Sequence, residues 1–394
     1  MPGRARRRLR ALAGALFVCA AALLGWDLRT PAQVPWLPAA IGDRTAERAD
    51  GLVLQHEVGG DVWASQGYSV YRSRRGGPFV REFTLWPRVG LAWAGFSRFL
   101  RDRFGYQELV EVVPLDERTV LVFGGGDIYR VALDSDRQEH VYRLRYFGPG
   151  EGRGVMPHGI TVDDRGSIYF GEYPTAPAPA GRTIQILRSD DGGKSWLVAH
   201  EFAAPTSVRH VHGVQWDPEG RRLWVTTGDA DAESRIGWSE DHGRTFHWVG
   251  TGSQDFRACS LLFLPSAVLW GPDAVRHENA LWSYERALDK AAPTAVRLPG
   301  PSFYAQRIGA EEGLVGLAEL VAEVWRVDSG GRASRLAAWP MVPDPTRPHP
   351  GVRLARGDGD TAWIYLNPLR TVRDRAAIYR LARDFEGEGV RESR

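Results

Sequence analysis

The sequence predicts an all-β fold, and composition and periodicity are the two features that predict it. The chain has 394 residues, with 45 Gly and 15 Trp, and 43% of its residues are hydrophobic. A Gly- and Trp-rich composition suits an all-β repeat protein with a large core. Alternating apolar segments, each broken by polar residues, recur at a period of roughly 40–50 residues, which is typical of propeller blades. We therefore expect a β-propeller.

The repeat also predicts the number of blades. Each unit contains two pairs of short strands separated by a polar break, as a four-stranded blade requires. Seven blades are the preferred count and six are the alternative, because the first and last units are the least regular. The seven units begin near Leu52, Leu109, Gly159, Gly213, Ala258, Ser302 and Val352.

One phrase of eight residues occurs twice, at 189–196 and 239–246, and predicts a hairpin turn. Both copies read Ser-x-Asp-x-Gly-x-(Ser/Thr)-aromatic. The Asp carboxylate can accept backbone N–H groups across the turn, and the Ser hydroxyl adds a second local bond. The Gly supplies a backbone angle that other residues resist. The positions that the two copies share are occupied by Ser189, Asp191, Gly193 and Trp196 in the first copy and by Ser239, Asp241, Gly243 and Phe246 in the second.

This phrase resembles the Asp-box, or BNR, repeat of sialidase-like β-propellers. The resemblance implies that each copy lies on an outer turn between the third and fourth strands of a blade, away from any active site. It extends over about residues 52–382 in architecture and is specific only at the two phrases. The Arg-Ile-Pro motif of that family does not occur in the chain. The resemblance therefore implies a fold and no sialidase activity.

The N-terminus is predicted to be a targeting segment, covering residues 1–32. An apolar run from Ala11 to Trp26 follows a basic region formed by Arg4, Arg6, Arg7, Arg8 and Arg10. The run is short for a membrane-spanning helix, which needs about 20 residues. A cleaved signal peptide and an uncleaved signal anchor both remain open. Either places the globular part outside the cytoplasm, as a secreted, periplasmic or membrane-anchored protein that touches the membrane only through this segment.

The remaining chain is divided by composition into three parts. Residues 33–50 are expected to form a linker, residues 51–385 the propeller, and residues 386–394 a polar tail. Cys259 is the one cysteine beyond the targeting segment, so no intrachain disulfide is expected in the globular part. The formal net charge is only +2, and no nucleic-acid-binding motif occurs, so nucleic acid is not an expected partner.

Histidines, arginines and acids occur at matching positions of successive units. In a four-stranded blade, the start of the first strand and the end of the second lie at the same end of the ring. Acids such as Asp229 and Asp273 follow the second strands, and Tyr173 lies at the equivalent place. Just before the first strands come His158, His210, His212 and Arg257. We expect these side chains to meet at one mouth of the central channel.

Three chemistries could use such a mouth. In the first, His158 or His212 is a general base, Tyr173 a proton donor and Arg257 a clamp for a uronate carboxylate, a set that suits β-elimination. Asp229 joins these residues as the working set of an enzyme, either a lyase or a hydrolase. In the second, His210 and His212, which point the same way in a strand, bind a divalent metal ion with Asp229 or Asp273. In the third, these groups only tie blades together. No other cofactor is expected.

These alternatives lead to two functional hypotheses. The first is an exported propeller that binds or acts on cell-surface glycans, like a glycosidase or polysaccharide lyase, with a carbohydrate ligand at the mouth. The second is a non-catalytic scaffold or assembly factor at the membrane, with a protein partner. Whether the protein is an enzyme stays open.

Overall fold

The computed structural model describes residues 30–88, 96–97, 109–148, 151–175, 183–203, 208–341, 350–357, 362–372 and 376–383. Most of the predicted targeting segment and the whole polar tail therefore lie outside the described residues. Within these ranges the chain is almost entirely β-structure, with short 3-10 helices at Asp231–Glu233 and Gln254–Phe256. None of the helices in these ranges is long and apolar enough to cross a membrane.

The strands are short and follow one another closely along the chain. The first eleven are β1 (Gln33–Val34), β2 (Leu37–Ile41), β3 (Arg44–Asp50), β4 (Val53–Val58), β5 (Asp61–Gln66), β6 (Ser69–Arg74), β7 (Phe79–Thr84), β8 (Glu111–Pro114), β9 (Thr119–Gly124), β10 (Asp127–Ala132) and β11 (Arg137–Arg143). The next eleven are β12 (Phe147–Gly148), β13 (Gly152–Gly154), β14 (Ile160–Val162), β15 (Ile168–Gly171), β16 (Tyr173–Pro174), β17 (Ile184–Ser189), β18 (Leu197–Phe202), β19 (His210–Asp217), β20 (Arg222–Gly228), β21 (Arg235–Ser239) and β22 (His247–Thr251). The last twelve are β23 (Leu262–Phe263), β24 (Ala267–Trp270), β25 (Asn279–Glu285), β26 (Lys290–Leu298), β27 (Ser302–Arg307), β28 (Glu312–Leu317), β29 (Ala322–Asp328), β30 (Ala333–Trp339), β31 (Gly351–Leu354), β32 (Arg356–Gly357), β33 (Trp363–Leu369) and β34 (Ala377–Ala382).

Most sheets are antiparallel meanders of four strands. Five sheets have this form: β8 to β11, β14–β15–β17–β18, β19 to β22, β23 to β26 and β27 to β30. A sixth consists of β4 to β7 with β1 added beside β7 and β32 added in parallel beside β4. A small three-stranded sheet of β12, β13 and β16 lies outside this series. The repeated four-stranded unit predicted from the sequence is therefore present.

The remaining large sheet combines both ends of the described chain. Its strand order is β31–β33–β34–β3–β2, so that β3 completes the sheet that β31, β33 and β34 begin. The prediction of a linker at residues 33–50 is wrong, because these residues form β1 to β3. Ala46 and Ala49 of β3 are both buried and pack into different apolar clusters, Ala46 with Val324 and Ala49 with Leu54.

Among the described residues, seven of the apolar clusters each combine residues of two successive large sheets and hold these sheets together. The last cluster joins the final sheet to the first, so the succession closes on itself in the manner of a β-propeller. Residue pairs that share a cluster across each junction are Trp63 and Val112, Phe123 and Phe170, Ile186 and Val225, Trp224 and Trp270, Leu269 and Val315, Val324 and Leu366, and Tyr365 and Leu54.

The two copies of the duplicated phrase form turns with the same contacts. In the β17–β18 turn, Asp191 accepts from the backbone N–H groups of Lys194 and Ser195, at 3.0 and 2.9 Å. The Ser189 hydroxyl donates to Asp191 and accepts from the N–H of Gly193, whose φ is 82°. The aromatic Trp196 packs against the core beneath. The β21–β22 turn repeats these bonds around Asp241. The predicted turn contacts are confirmed.

The seam between the chain ends depends on Arg380 in β34. Its Nε donates to Glu47 in β3 at 2.7 Å, and its guanidinium lies 4.3 and 4.4 Å from the ring centroids of Trp36 and Trp363. Its Nη1 donates to the carbonyl of Gly76 in the neighbouring sheet. The N-terminal strands are thus bound on both sides by polar and aromatic contacts as well as by the β3–β34 pairing.

We expect removal of these strands to destabilise the whole ring. A chain of residues 51–383 would leave the edge of β34 unpaired and expose the apolar residues beneath β3. Its melting temperature should fall by at least roughly 10 °C relative to a chain of residues 30–383, since a loss of several kcal/mol shifts a large domain by that amount. Thermal unfolding followed by circular dichroism measures the difference. Equal melting temperatures would show that β3 does not close the ring.

Candidate functional site

Two imidazoles lie side by side at the start of β19. His210 is its first residue, and a bulge between Val211 and Gly213 leaves His212 without a partner in β20. Bulges commonly redirect a side chain beside a functional site. The Nε2 atoms of His210 and His212 are 2.9 Å apart, and both side chains are buried. The two rings lie side by side, with centroids 4.8 Å apart and planes inclined by 31°.

The carboxylate of Asp229, which follows β20, completes this group. Its Oδ1 lies 3.1 Å from Nε2 of His210 and 3.3 Å from Nε2 of His212. The backbone fixes its position: the Asp229 N–H donates to Glu233 at 3.2 Å, and its carbonyl accepts from Gln254 at 2.7 Å. Burial opposes ionisation, but the adjacent imidazoles hold the pKa of Asp229 well below its usual range. Asp229 is therefore a carboxylate at neutral pH.

The outer nitrogens of the two imidazoles are bonded to backbone carbonyls. Nδ1 of His210 lies 2.8 Å from the carbonyl of Pro174, and Nδ1 of His212 lies 3.2 Å from that of Ala258. A carbonyl oxygen only accepts, so each Nδ1 carries the proton. Burial lowers the pKa of His212 to about 4. At neutral pH its Nε2 is therefore a lone-pair donor that faces His210 and Asp229.

Two guanidiniums border the carboxylate. Nη1 of Arg209 lies 3.0 Å from Oδ2 of Asp229, and Nη2 of Arg257 lies 3.2 Å from Oδ1. Arg257 also reaches Oδ2 of Asp273 at 3.2 Å. The side chains of Arg209, Asp229 and Arg257 retain 33%, 27% and 21% of their exposure, whereas the imidazoles retain at most 2%. Solvent therefore reaches the group from the side of the arginines.

Asp273, which follows β24, belongs to a neighbouring contact rather than to the imidazole pair itself. Its Oδ2 accepts from the thiol of Cys259 at 3.4 Å and is 4.0 Å from Nδ1 of His212. Burial raises the pKa of Asp273 to about 7, although Arg257 opposes the shift. Burial also raises the pKa of Cys259, so the thiol stays protonated. Of the two acids predicted as a third metal ligand, Asp229 faces both Nε2 atoms.

Tyr173 covers one face of the imidazole pair. Its ring stacks on that of His210 with centroids 4.1 Å apart and planes inclined by 21°. Burial, reinforced by the acids nearby, raises the pKa of Tyr173 above its usual value, so the phenol can donate a proton but is not a base at neutral pH. Tyr173, His210, His212, Asp229 and Arg257, predicted to share one mouth, are therefore brought together.

His158 is placed elsewhere, which corrects its grouping with His212 and Arg257. Its ring meets Tyr304 edge-on at 4.9 Å, and its backbone N–H donates to Glu111 at 2.8 Å. The residue has a left-handed backbone conformation (φ 62°) before β14, and its contacts are with Tyr304 in β27 and Glu111 in β8. Burial and the charges of Arg353 and Arg356 lower the pKa of His158. It belongs to a second buried polar cluster.

Sequence reasoning missed several members of both clusters. Arg209 precedes β19 as Arg257 precedes β23, so its position carried a usable signal. Cys259 was considered only for disulfides, and its contact with Asp273 depends on burial that no sequence pattern reports. Glu111 and Arg356 lie in the second cluster, where Arg353 donates to Glu111 at 3.4 Å. A surface pocket lined by Tyr169, Trp216 and His242 shares no residue with either cluster.

No family model and no curated protein matches this chain. Among solved structures, it is similar to an oligogalacturonate lyase from Vibrio parahaemolyticus, with TM-score 0.56 and 11% identity over 88% of this chain and 96% of that one. It is also similar to YCF48 bound to a D1 peptide, with TM-score 0.52 and 9% identity over 90% and 97% of the two chains. A third match is the extracellular domain of a putative one component system from B. thetaiotaomicron, with TM-score 0.50 and 10% identity over 88% of this chain and 39% of that one. At these identities the likeness shows a β-propeller fold and nothing further.

The buried carboxyl of Asp273 makes stability depend on pH. Its folded-state pKa of about 7 exceeds the ordinary value of 3.8, so its contribution to stability is present below pH 3.8 and is lost as the pH rises through 7. Asn cannot ionise, so the variant Asp273→Asn does not lose this stability as the pH rises. The difference in unfolding free energy, variant minus wild type, should therefore be on the order of 1–3 kcal/mol larger at pH 8 than at pH 4. Urea unfolding at both pH values measures this difference.

A matched variant provides the control for this experiment. Asp134 is exposed in the β10–β11 turn, so Asp134→Asn should follow the wild type at both pH values. If Asp273→Asn followed the wild type as well, Asp273 would not titrate from a buried, protonated state.

Proposed function

We propose that the site formed by Arg209, Arg257, Tyr173 and Asp229 binds an acidic carbohydrate through its carboxylate group. The observation that carries this proposal is the gathering of two partly exposed guanidiniums and a phenol at the solvent side of a buried polar group. Guanidiniums recognise carboxylates through paired hydrogen bonds, and aromatic rings stack on sugars. We propose the same architecture as the sequence suggests, a seven-bladed propeller, with the site at one mouth of its channel.

The charge at this site favours an anion. Arg209 and Arg257 each carry a positive charge, and Asp229 carries one negative charge. Asp273 has a pKa of about 7, so it is largely neutral in mildly acidic solution and does not cancel Arg257. One positive charge is then left in excess, at the end that solvent reaches. An added carboxylate would restore neutrality and replace part of the hydration of the arginines.

The groups available for catalysis fit recognition better than turnover. In β-elimination, Arg257 would hold the uronate carboxylate and Tyr173 would donate a proton. The base is the difficulty: His212 is buried with its free nitrogen facing His210, and the low pKa of Asp229 makes it a weak base. His158 lies in the other cluster. We therefore give binding priority and leave β-elimination as an activity to be assayed.

The comparisons give this proposal limited support. One similar structure is named as an oligogalacturonate lyase and another as an extracellular domain. A carboxylated oligosaccharide is the kind of ligand that the charge of this site suits, and an extracytoplasmic location is where such glycans occur. We propose that residues 1–32 deliver the protein there, with residues 33–383 forming the globular part.

A scaffold that binds a protein is the second candidate, and the buried polar contacts favour it. Both imidazoles are bonded to backbone carbonyls, as expected for residues that tie blades together. The ring interior is also filled by side chains of the innermost strands: Gln306 donates to Glu57 at 2.7 Å, and Arg353 donates to Gln55 at 3.0 Å. The YCF48 structure, which contains a D1 peptide, provides a propeller with a bound peptide.

Calorimetric titration of residues 30–383 with oligogalacturonate tests the first proposal. We expect saturable binding that is lost when the same oligosaccharide is carboxyl-reduced and therefore neutral. Arg257→Gln should weaken binding at least about tenfold, because a charge-assisted bidentate contact is lost. Arg307→Gln is the control, since Arg307 is similarly exposed and pairs with Glu219 at the opposite ends of the strands.

Equal binding of the acidic and reduced sugars, or no binding of any acidic glycan in a panel, would contradict the proposal and leave the scaffold as the better explanation. The same samples, monitored in the ultraviolet for unsaturated products, separate turnover from binding. Turnover that Tyr173→Phe abolishes and Tyr142→Phe preserves would make the protein a lyase.

A further inference from the structure

We propose that His210, His212 and Asp229 form a binding site for a first-row divalent transition-metal ion. The inference does not depend on the carbohydrate proposal, because it concerns only the arrangement of three buried or half-buried ligand atoms. Nε2 of His210, Nε2 of His212 and Oδ1 of Asp229 lie within 4.8 Å of one another. Two histidines and one carboxylate are a ligand set that binds such ions with coordination positions left open.

The convergence of three potential ligand atoms favours a cation at this point. Each Nδ1 is held by a carbonyl and carries the proton, so a neutral ring presents the lone pair of Nε2. Two lone pairs 2.9 Å apart, with a carboxylate oxygen 3.1 and 3.3 Å away, repel one another unless a positive species lies between them. A single proton between the two nitrogens serves only the imidazoles and leaves Oδ1 of Asp229 to its contact with Arg257, 3.2 Å away. A metal ion satisfies all three.

The spacing of the three atoms fits a metal ion. Ligand atoms about 2.0–2.2 Å from an ion and 2.9–3.3 Å from one another are separated by roughly 85–105° around it. Such angles leave one side of the ion open. The partly exposed side chain of Asp229 shows where that side meets solvent.

The surroundings resemble the outer shell of known metal sites. A metal-binding histidine usually donates its other N–H to a carbonyl or carboxylate, which fixes the ring and its tautomer. Here the carbonyl of Pro174 performs this role for His210, and the carbonyl of Ala258 performs it for His212. Asp229 is in turn fixed through its backbone by Glu233 and Gln254. The three ligands are therefore positioned before any ion arrives.

The neighbouring charges affect how tightly an ion binds, and the types of ligand atom affect which ion is preferred. Arg209 and Arg257 are both within 3.2 Å of Asp229 and oppose a cation, while Asp273 and the thiol of Cys259 lie behind His212. Only one carboxylate offers oxygen, so Ca²⁺ and Mg²⁺, which prefer several oxygen ligands, are disfavoured. Imidazole nitrogens favour Zn²⁺, Cu²⁺, Ni²⁺ or Fe²⁺. Removal of the Arg257 charge should strengthen binding.

Titration of chelator-treated, tag-free protein with Co²⁺ and Zn²⁺ tests the proposal. We expect about one equivalent per chain, a visible Co²⁺ absorption band, and much weaker binding of Ca²⁺ and Mg²⁺. His212→Ala and Asp229→Asn should each weaken Zn²⁺ binding at least tenfold, and Arg257→Gln should strengthen it severalfold. His277→Ala removes an exposed histidine and should bind as the wild type does.

Circular dichroism of each variant shows that it is folded, and Asp229→Asn keeps the shape of the side chain in case His212→Ala does not fold. Absence of saturable binding in the wild type would overturn the proposal, and the site would then hold a proton. Wild-type affinity in Asp229→Asn, or weaker binding in Arg257→Gln, would also overturn it.

Discussion

The closure of the succession of sheets is the constraint on which the rest of the structure depends. Each sheet buries one apolar face against the next, and β3 from the N-terminal region completes the sheet that also contains β34. Because the succession of sheets is closed, the starts of the first strands and the ends of the second strands in neighbouring sheets lie close together at the same end of the ring. Residues that are distant along the chain, such as Tyr173, His212 and Asp273, can meet only because the sheets are held in this order.

Burial favours protein partners for the polar groups at this location, and the arrangement of these partners determines the chemistry. Backbone carbonyls fix the protons of His210 and His212 on Nδ1, so the opposite nitrogens converge on Asp229. The arginines remain partly exposed and give the outer side an excess of positive charge. One cluster thus combines an inner position suited to a cation with an outer position suited to an anion.

Much of the fold could be predicted, because it depends on local patterns. The repeated strands and the Asp191 turn follow from periodicity and from hydrogen bonds within a few residues. The proximity of His210 to Asp229 follows from the antiparallel pairing of β19 and β20, in which His210 lies opposite Gly228, whereas the position of His212 depends on the bulge after Val211. The strands of residues 33–50 were not predicted, because β3 pairs with β34, more than three hundred residues away, and β1 pairs with β7. The position of His158 depends on a left-handed turn, and the protonation of Asp273 depends on burial, and neither has a sequence pattern.

The central claim is that the protons of the buried imidazoles are fixed on the outer nitrogens, which leaves the inner nitrogens free to share a cation. Long-range ¹H–¹⁵N correlation NMR of the histidine side chains in metal-free protein tests it most directly, with His212→Gln used for assignment. At neutral pH we predict a neutral His212 ring with its proton on Nδ1 and an unprotonated Nε2. A His212 signal from a ring protonated on Nε2, or from an imidazolium, would contradict the claim.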